Sequence, residues 1–109
     1  MDKNDVLNKM RQERFVKNNG CVLRAVNILR EKYVNLSDLM PAISDDITES
    51  EYIDCVNYLS ESEYIQLRNR ISKENTTLAD TELRLLEGKL TPKGIQLLSG
   101  RISDVCVER

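Results

Sequence analysis

The sequence predicts a mainly α-helical domain that contains one small β-hairpin. Three observations support this fold class. Apolar residues recur at helical spacing in residues 22–33, and they do so again after a helix-start signal at residues 48–51. In residues 64–71, by contrast, apolar and polar residues partly alternate, as in a half-buried strand. With 109 residues, of which 40% are hydrophobic, the chain can bury one modest core, so we predict a single domain.

The N-terminal segment predicts a helix without a clear docking face. Residues 3–17 form a polar helical pattern with Val6, Leu7 and Met10 on one side. We therefore assign residues 1–19 to an N-terminal helical arm.

The main domain is predicted to span residues 20–109 and to begin with the helix in residues 22–33. The intervening Asn18–Gly20 marks either a break or only a kink, because a glycine within a helix costs only about 1 kcal/mol relative to alanine.

A short helix and a capped helix follow. Ser37 is predicted to cap a short helix over residues 37–44, with Pro41 tolerated in its first turn. The run Thr48–Glu51 has the form of a capping box, a hydroxyl at the N-cap with a glutamate three residues later. A second strong helix is therefore predicted over residues 49–62. Its apolar face is formed by Tyr52, Ile53, Val56 and Leu59, with Cys55 at the margin.

The remaining segments predict a hairpin. The strand in residues 64–71 is followed by a polar turn at residues 73–77. Residues 78–86 fit either a strand or a short helix, and Gly88 is predicted to end that segment. Residues 89–90 are predicted to form a brief strand that returns alongside the first.

The final helix has clear signals at both ends. Thr91 and Pro92 have the N-cap and first-position pattern of a helix start, and Gly100 is predicted to be its C-cap. The tail, residues 102–109, is too short to stand alone and is predicted to pack against the body.

This order of elements, with the N-terminal extension, is the layout of a winged helix-turn-helix domain. The helices at residues 37–44 and 49–62 would form the helix-turn-helix, and the two strands around residues 64–91 would form the wing. Two segments, Tyr58–Ile65 and Lys89–Gly100, resemble the corresponding segments of small winged-helix proteins of bacteria and their phages. The resemblance covers about residues 20–105 and implies a bacterial or prophage origin. Many such proteins are regarded as transcriptional regulators, which implies binding to double-stranded DNA, and others are uncharacterised.

The composition argues against an enzyme. The chain has no histidine and no catalytic or phosphate-binding motif, and Asp45 and Asp46 are interpreted as solvated acids near a helix start. Cys21, Cys55 and Cys106 lack the spacing of a metal site and are interpreted as core or half-buried residues. We therefore predict no catalytic residues, no metal and no cofactor. The absence of a long apolar run and of a signal peptide predicts a cytoplasmic protein without membrane contact.

The charges are segregated along the chain. Residues 1–33 carry a net charge of +4 and residues 34–63 carry −8. Residues 64–77 carry +2, and the remainder is balanced. The predicted helix-turn-helix is thus the acidic part, which opposes its approach to DNA phosphates. The face of helix 49–62 opposite its apolar stripe displays Ser50, Glu51, Asp54, Asn57, Tyr58 and Glu61.

Two functions remain open from the sequence. The first is a homodimeric DNA-binding regulator that contacts DNA mainly through the wing and the N-terminal basic residues. These two regions either share a surface or are separate, ordinary solvated faces. Its predicted DNA contacts are Arg68, Asn69, Arg70 and Lys73 on the wing, Asn57 and Tyr58 on the acidic helix, and Arg14 and Lys17 near the N-terminus. The alternative is a protein-interaction module without DNA binding, in which residues 3–17 form a dimer arm. Its predicted partner contacts are Glu51, Asp54, Tyr58 and Glu61.

Overall fold

The computed structural model describes residues 2–43 and 45–109, and within them helices and a small antiparallel sheet share one hydrophobic core. The predicted combination of helices with a small sheet is confirmed, but the sheet has three strands rather than the two of a hairpin. The elements in chain order are α1 (Lys3–Asn27), β1 (Val34–Asn35), α2 (Leu36–Ile43), α3 (Glu49–Glu61), β2 (Ile65–Asn69), a 3-10 turn (Leu83–Leu85), β3 (Leu86–Leu90) and α4 (Pro92–Leu98).

Helix α1 is continuous through Asn18–Gly20, so that segment is neither a break nor the boundary between an arm and a separate helix. The helix also ends at Asn27, about one and a half turns before residue 33. Asn19 and Gly20 are buried because the C-terminal tail crosses α1 there, and a Cβ on Gly20 would collide with the carbonyl group of Glu108. The glycine therefore permits a close approach of two backbones instead of ending a helix.

Helix α2 begins one residue earlier than predicted, at Leu36, and Ser37 is not its N-cap. The side chain of Asn35 accepts a hydrogen bond from the Ser37 N–H at 3.0 Å, so the asparagine performs the capping role. Pro41 consequently lies in the second turn rather than the first. The helix ends at Ile43, and position 44 of the predicted range lies outside the described residues.

The capping box of α3 is confirmed. The Thr48 hydroxyl accepts a hydrogen bond from the Glu51 N–H at 3.2 Å, and the Glu51 carboxylate accepts one from the Thr48 N–H at 3.1 Å. Cys55 lies in the middle of the buried face rather than at its margin, and burial raises the pKa of its thiol to about 12. Ile53 is only half-buried. The residues that α3 buries completely are Tyr52, Cys55, Val56 and Leu59.

The sheet has the strand order β1-β3-β2, with both pairings antiparallel. Gly88 was predicted to end a segment, but it lies in the middle of β3, opposite Val34 on one side and Leu67 on the other. The side chains of Leu36 and Leu67 lie 3.3 Å and 3.6 Å from the position that a Cβ of Gly88 would occupy. The absence of a side chain there lets the core close tightly over the central strand.

The predicted start of the last helix and the packing of the tail are confirmed, whereas the C-cap is Ser99 and Gly100 is the residue after it. The Thr91 hydroxyl accepts a hydrogen bond from the Gly94 N–H at 3.1 Å, Pro92 is the first residue of α4, and Gly100 has a positive φ of 81° after the helix end. The tail packs on α1, where the Glu108 N–H donates to the Val16 carbonyl at 3.2 Å. Val107 enters the core beside it.

Candidate binding surfaces

The outward face of α3 is acidic, but it is smaller than the sequence predicted. Glu51 and Tyr58 lie on the flank of the helix that faces α1 and are half-buried. Two carboxylates remain on the outward face, and no lysine or arginine occurs anywhere in the helix. We call this surface the acidic face; its exposed residues are Ser50, Asp54, Asn57 and Glu61.

Arg14, a predicted DNA contact, is bound within the protein. Its Nε lies 2.9 Å from Glu51 Oε2, and its Nη2 donates to Glu51 Oε1 at 3.0 Å. The same Nη2 donates to the Asp46 carbonyl at 2.9 Å. This bidentate arrangement ties α1 to the turn before α3, so the guanidinium already has its anionic partner. The hydrogen bonds from Arg14 and from the Thr48 N–H lower the pKa of Glu51 to about 2.

This ion pair predicts a pH dependence of stability. In the unfolded chain the pKa of Glu51 returns to about 4.5, so between pH 2 and 4.5 the unfolded state binds more protons than the folded state. Stability from this group is therefore complete above about pH 4.5 and is lost as the pH falls towards 2. Urea unfolding across this range should show a shallower pH dependence for Glu51→Gln than for the unaltered protein. If the free energy of unfolding had the same pH dependence in both proteins, the lowered pKa of Glu51 would be contradicted. Glu49→Gln, at the exposed start of α3, is the matched control.

Tyr58, also a predicted DNA contact, belongs to a network that holds the C-terminal tail. Its hydroxyl donates to Asp104 Oδ2 at 2.7 Å, and the Tyr64 hydroxyl donates to the same oxygen at 2.7 Å. The Cys106 N–H donates to the other carboxylate oxygen at 2.8 Å. Phe15 of α1 packs edge-on against the Tyr58 ring, with 5.5 Å between ring centroids. Tyr58 therefore connects α3, α1 and the tail.

Two basic residues of the predicted wing converge on one buried carboxylate. Glu87 of β3 is 8% exposed and accepts hydrogen bonds from Arg68 Nε and, at 3.3 Å, from Lys73 Nζ. The Arg68 guanidinium also lies 3.7 Å from the centre of the Tyr33 ring. Burial acts to raise the pKa of Glu87, but the hydrogen bonds from Arg68 and Lys73 outweigh it and keep the pKa below the ordinary value.

The other predicted wing contacts shape the turn after β2. Asn69 Oδ1 accepts hydrogen bonds from the Ile71 N–H at 2.9 Å and the Ser72 N–H at 3.2 Å. Arg70 Nε donates to the Arg84 carbonyl at 2.9 Å. The tip between these contacts exposes Ile71 to 69% together with Arg70 and Lys73, which are its exposed cations.

Arg14 and Lys17 of α1 and the predicted wing contact different parts of the protein. Arg14 binds at the start of α3, and Lys17 is exposed less than one turn further along α1. The wing instead contacts Tyr33, which follows the opposite end of α1. At about 1.5 Å per residue, Arg14 lies about 20 Å from Asn27 along the helix axis. Arg14 and Arg68 therefore pair with different carboxylates, Glu51 and Glu87.

A groove beside β2 was not predicted from the sequence. It is an open groove of about 610 Å³ between the end of α3, the strand, the loop that follows the wing tip and the start of α4. No sequence signal could have found it, because one of its walls is the main chain of an edge strand. Among its lining residues are Glu61, Glu63, Gln66, Thr76, Thr77 and Lys93.

Residues 2–43 and 45–109 lack two features that membrane or metal binding would use. None of the helices described there is both long and apolar enough to cross a bilayer. The same residues contain no group of three or more cysteine, aspartate or glutamate side chains arranged to hold a metal ion. The cysteines are free thiols; Cys55 is buried, and Cys21 and Cys106 are half-buried, as predicted.

Comparison of the sequence with protein-family models, with curated proteins and with solved structures gives no significant match. The resemblance to small winged-helix proteins therefore stays a prediction. The segments that carry it, Tyr58–Ile65 and Lys89–Gly100, form the junctions of α3 with β2 and of β3 with α4.

Proposed function

We propose that this chain is a winged-helix domain that binds a basic protein partner through the acidic face of α3, and that it does not read duplex DNA with that helix. The order of α1, α2 and α3 followed by the β2–β3 hairpin and α4 supports the fold assignment. The observation that carries the functional part is the composition of the acidic face, which has two carboxylates and no cation.

Electrostatics disfavours DNA at this face. Duplex DNA carries about one negative charge per 1.7 Å of its axis, so a recognition helix needs cations that hold the phosphates. Asn57 could pair with adenine, but such a contact requires basic neighbours to position it. Arg14 is bound to Glu51, and Arg68 and Lys73 are bound to Glu87. A partner rich in lysine or arginine meets no such repulsion.

A second copy of this chain is one partner with suitable chemistry. The N-terminal half of α1 exposes Val6, Leu7 and Met10 to 42%, 41% and 55%. Exposed Lys3 and Lys9 lie on the same helix, so this arm offers apolar contact area together with positive charge. We accordingly include a homodimer in the proposal, and its mass in solution tests this part.

The acidic face can be tested by titration with two probes. A short duplex of mixed sequence at low salt should leave the backbone amide resonances of the protein unchanged. A lysine-rich peptide should shift the resonances of Ser50, Asp54 and Asn57, and added salt should reverse the shift. Reversing two charges, in Asp54→Lys/Glu61→Lys, should abolish the peptide shifts and create weak, salt-sensitive binding to DNA.

The control pairs two reversals away from this face, Asp5→Lys and Glu13→Lys, which change the net charge equally. DNA binding gained by the control as well would show that total charge is responsible, and it would contradict a specific role for the acidic face. Salt-sensitive DNA binding by the unaltered protein, with shifts at Ser50, Asp54 and Asn57, would also contradict the proposal, whereas shifts confined to the wing would support the second candidate described next.

A second candidate is DNA binding through the wing tip. The observation that favours it is the exposure of Arg70 and Lys73 on either side of the apolar Ile71. Under this candidate, Arg70→Ala should weaken DNA binding by a uniform factor for all sequences and reduce the salt dependence. Fluorescence anisotropy with the same duplex distinguishes the two candidates.

A further inference from the structure

The hydrogen-bonding directions of β2 follow from its pairing with β3. The Thr91 N–H donates to the Tyr64 carbonyl at 3.0 Å, and the Arg70 N–H donates to the Leu85 carbonyl at 2.8 Å. Even-numbered residues therefore direct their N–H and C=O groups towards β3, since these directions alternate along an antiparallel strand. The odd-numbered residues, Ile65, Leu67 and Asn69, direct theirs away from the sheet.

The wing loop covers only part of this outer edge. The Asn69 N–H donates to the Glu74 carbonyl at 2.8 Å, and the Thr76 N–H donates to the Leu67 carbonyl at 3.2 Å. Within residues 2–43 and 45–109, no hydrogen bond reaches the N–H or C=O of Ile65 or the N–H of Leu67. Each residue is only 2% exposed, main chain included, so these unpaired main-chain groups can be reached only from the groove that Ile65 and Leu67 line.

The groove lies at these open positions. Ile65, Gln66 and Leu67 line one wall, Glu61 and Glu63 lie at the end of α3, and the loop at Thr76–Thr77 closes the other side. Its volume of about 610 Å³ falls within the range of roughly 300–1,000 Å³ that is usual for ligand sites. The Gln66 side chain reaches across the edge and donates to the Leu67 carbonyl at 2.9 Å, as a neighbouring strand would.

We propose that an extended segment of the protein partner adds to the outer edge of β2 as a further strand and lies in this groove. The unpaired N–H and C=O of Ile65 and the unpaired N–H of Leu67 can form the hydrogen bonds of a β-ladder with one extended chain. The end of α3 and the loop at Thr76–Thr77 flank the edge, so the added segment would lie between them. Glu61 and Glu63 outweigh Lys93, which lines the same groove, so the net charge there favours a segment that carries lysine or arginine.

This inference rests on the proposed function, because Glu61 belongs to both the acidic face and the groove. The two surfaces nevertheless make different contacts. The acidic face offers side chains alone, whereas the groove offers main-chain hydrogen bonds. Blocking main-chain donors in the probe therefore affects only the groove.

The probe is a short capped peptide of alternating threonine and valine with lysine at both ends. In the free protein, the amide hydrogens of Ile65 and Leu67 should exchange with solvent faster than those of Gln66 and Arg68, which pair with β3. Adding the peptide should slow the exchange at Ile65 and Leu67 and shift their resonances. A second peptide, N-methylated at alternate residues, cannot form the ladder and should produce neither effect.

Matched charge reversals on α3 provide the control. Glu61→Lys should weaken binding of the peptide by up to about fivefold, which is typical of an exposed ion pair, whereas Glu49→Lys at the other end of the helix should leave binding unchanged. Peptide shifts confined to Ser50, Asp54 and Asn57, or equal binding of the N-methylated peptide, would overturn the groove while supporting the acidic face. Shifts at neither surface would overturn both proposals.

Discussion

Replacing Arg68 with methionine is expected to lower the free energy of unfolding by about 3 kcal/mol. The Glu87 carboxylate is nearly buried, and without the guanidinium it would retain only its contact with the more exposed Lys73. The substitution also removes the cation from the Tyr33 ring, although the methionine chain can still pack there. Urea unfolding at neutral pH measures the change.

The double variant Arg68→Met/Glu87→Leu separates the two contributions. Removing both charges leaves no unpaired buried carboxylate, so most of the lost stability should return. If Arg68→Met were instead as stable as the unaltered protein and had weaker DNA binding, Arg68 would be a DNA contact on the wing and not a structural residue. Comparing the stability and DNA binding of these variants therefore tests whether Arg68 is free to contact a ligand.

Replacing Asp104 with alanine is expected to lower the free energy of unfolding by about 2 kcal/mol, since hydrogen bonds to a charged group each contribute about 1.5–3 kcal/mol and the freed hydroxyls can partly rehydrate. Tyr58 and Tyr64 would lose their shared acceptor, and the Cys106 N–H would lose its partner. The tail should also exchange its amide hydrogens faster. Thermal unfolding and hydrogen exchange measure the two effects.

The variants Tyr58→Phe and Tyr64→Phe serve as controls for this network. Each removes one donor and keeps the ring, so each should destabilise the protein less than Asp104→Ala does. The carboxylate would remain with one tyrosine and the backbone donor in either case. Equal stability of Asp104→Ala and the unaltered protein would show that the tail is held by its other contacts, which are Val107, the backbone hydrogen bonds and the side chains of Asn19 and Arg24.

Local signals in the sequence predicted local structure well. The cap at Thr48 and the Thr91–Pro92 start depend on groups within three residues of each other, so the sequence contains all the partners. The two-residue strand β1 escaped prediction because it is too short to show alternation.

The wrong predictions at glycines and asparagines have a common physical cause. Gly20 was interpreted as a break or a kink and Gly88 as the end of a segment, but distant backbone and side chains approach both positions. Asn35, not Ser37, caps α2. Glycine and asparagine permit several local structures, and tertiary contacts decide which one forms. A pattern in a single sequence does not contain those contacts.

The sequence predicted the charge of the candidate surfaces, but it did not predict which of their groups are free to contact a partner. The acidic character of α3 is evident from its composition. Glu51 is bound by Arg14, which lies 37 positions away in the chain, and Tyr58 is bound to Asp104, which lies 46 positions away. Such distant partners cannot be identified from a local pattern. The open edge of β2 depends on how far the wing loop folds back, a property of the backbone path.

The unbroken α1 has a consequence for the thermodynamics of assembly. Its exposed half, with Val6 and Met10, continues without a hinge into a half that is clamped by Gly20 and the tail. Its direction is therefore fixed before any partner arrives, and binding there would not have to order a flexible tether. Little orientational entropy would be lost, so a small contact area on this arm would yield more affinity than the same area on a disordered segment.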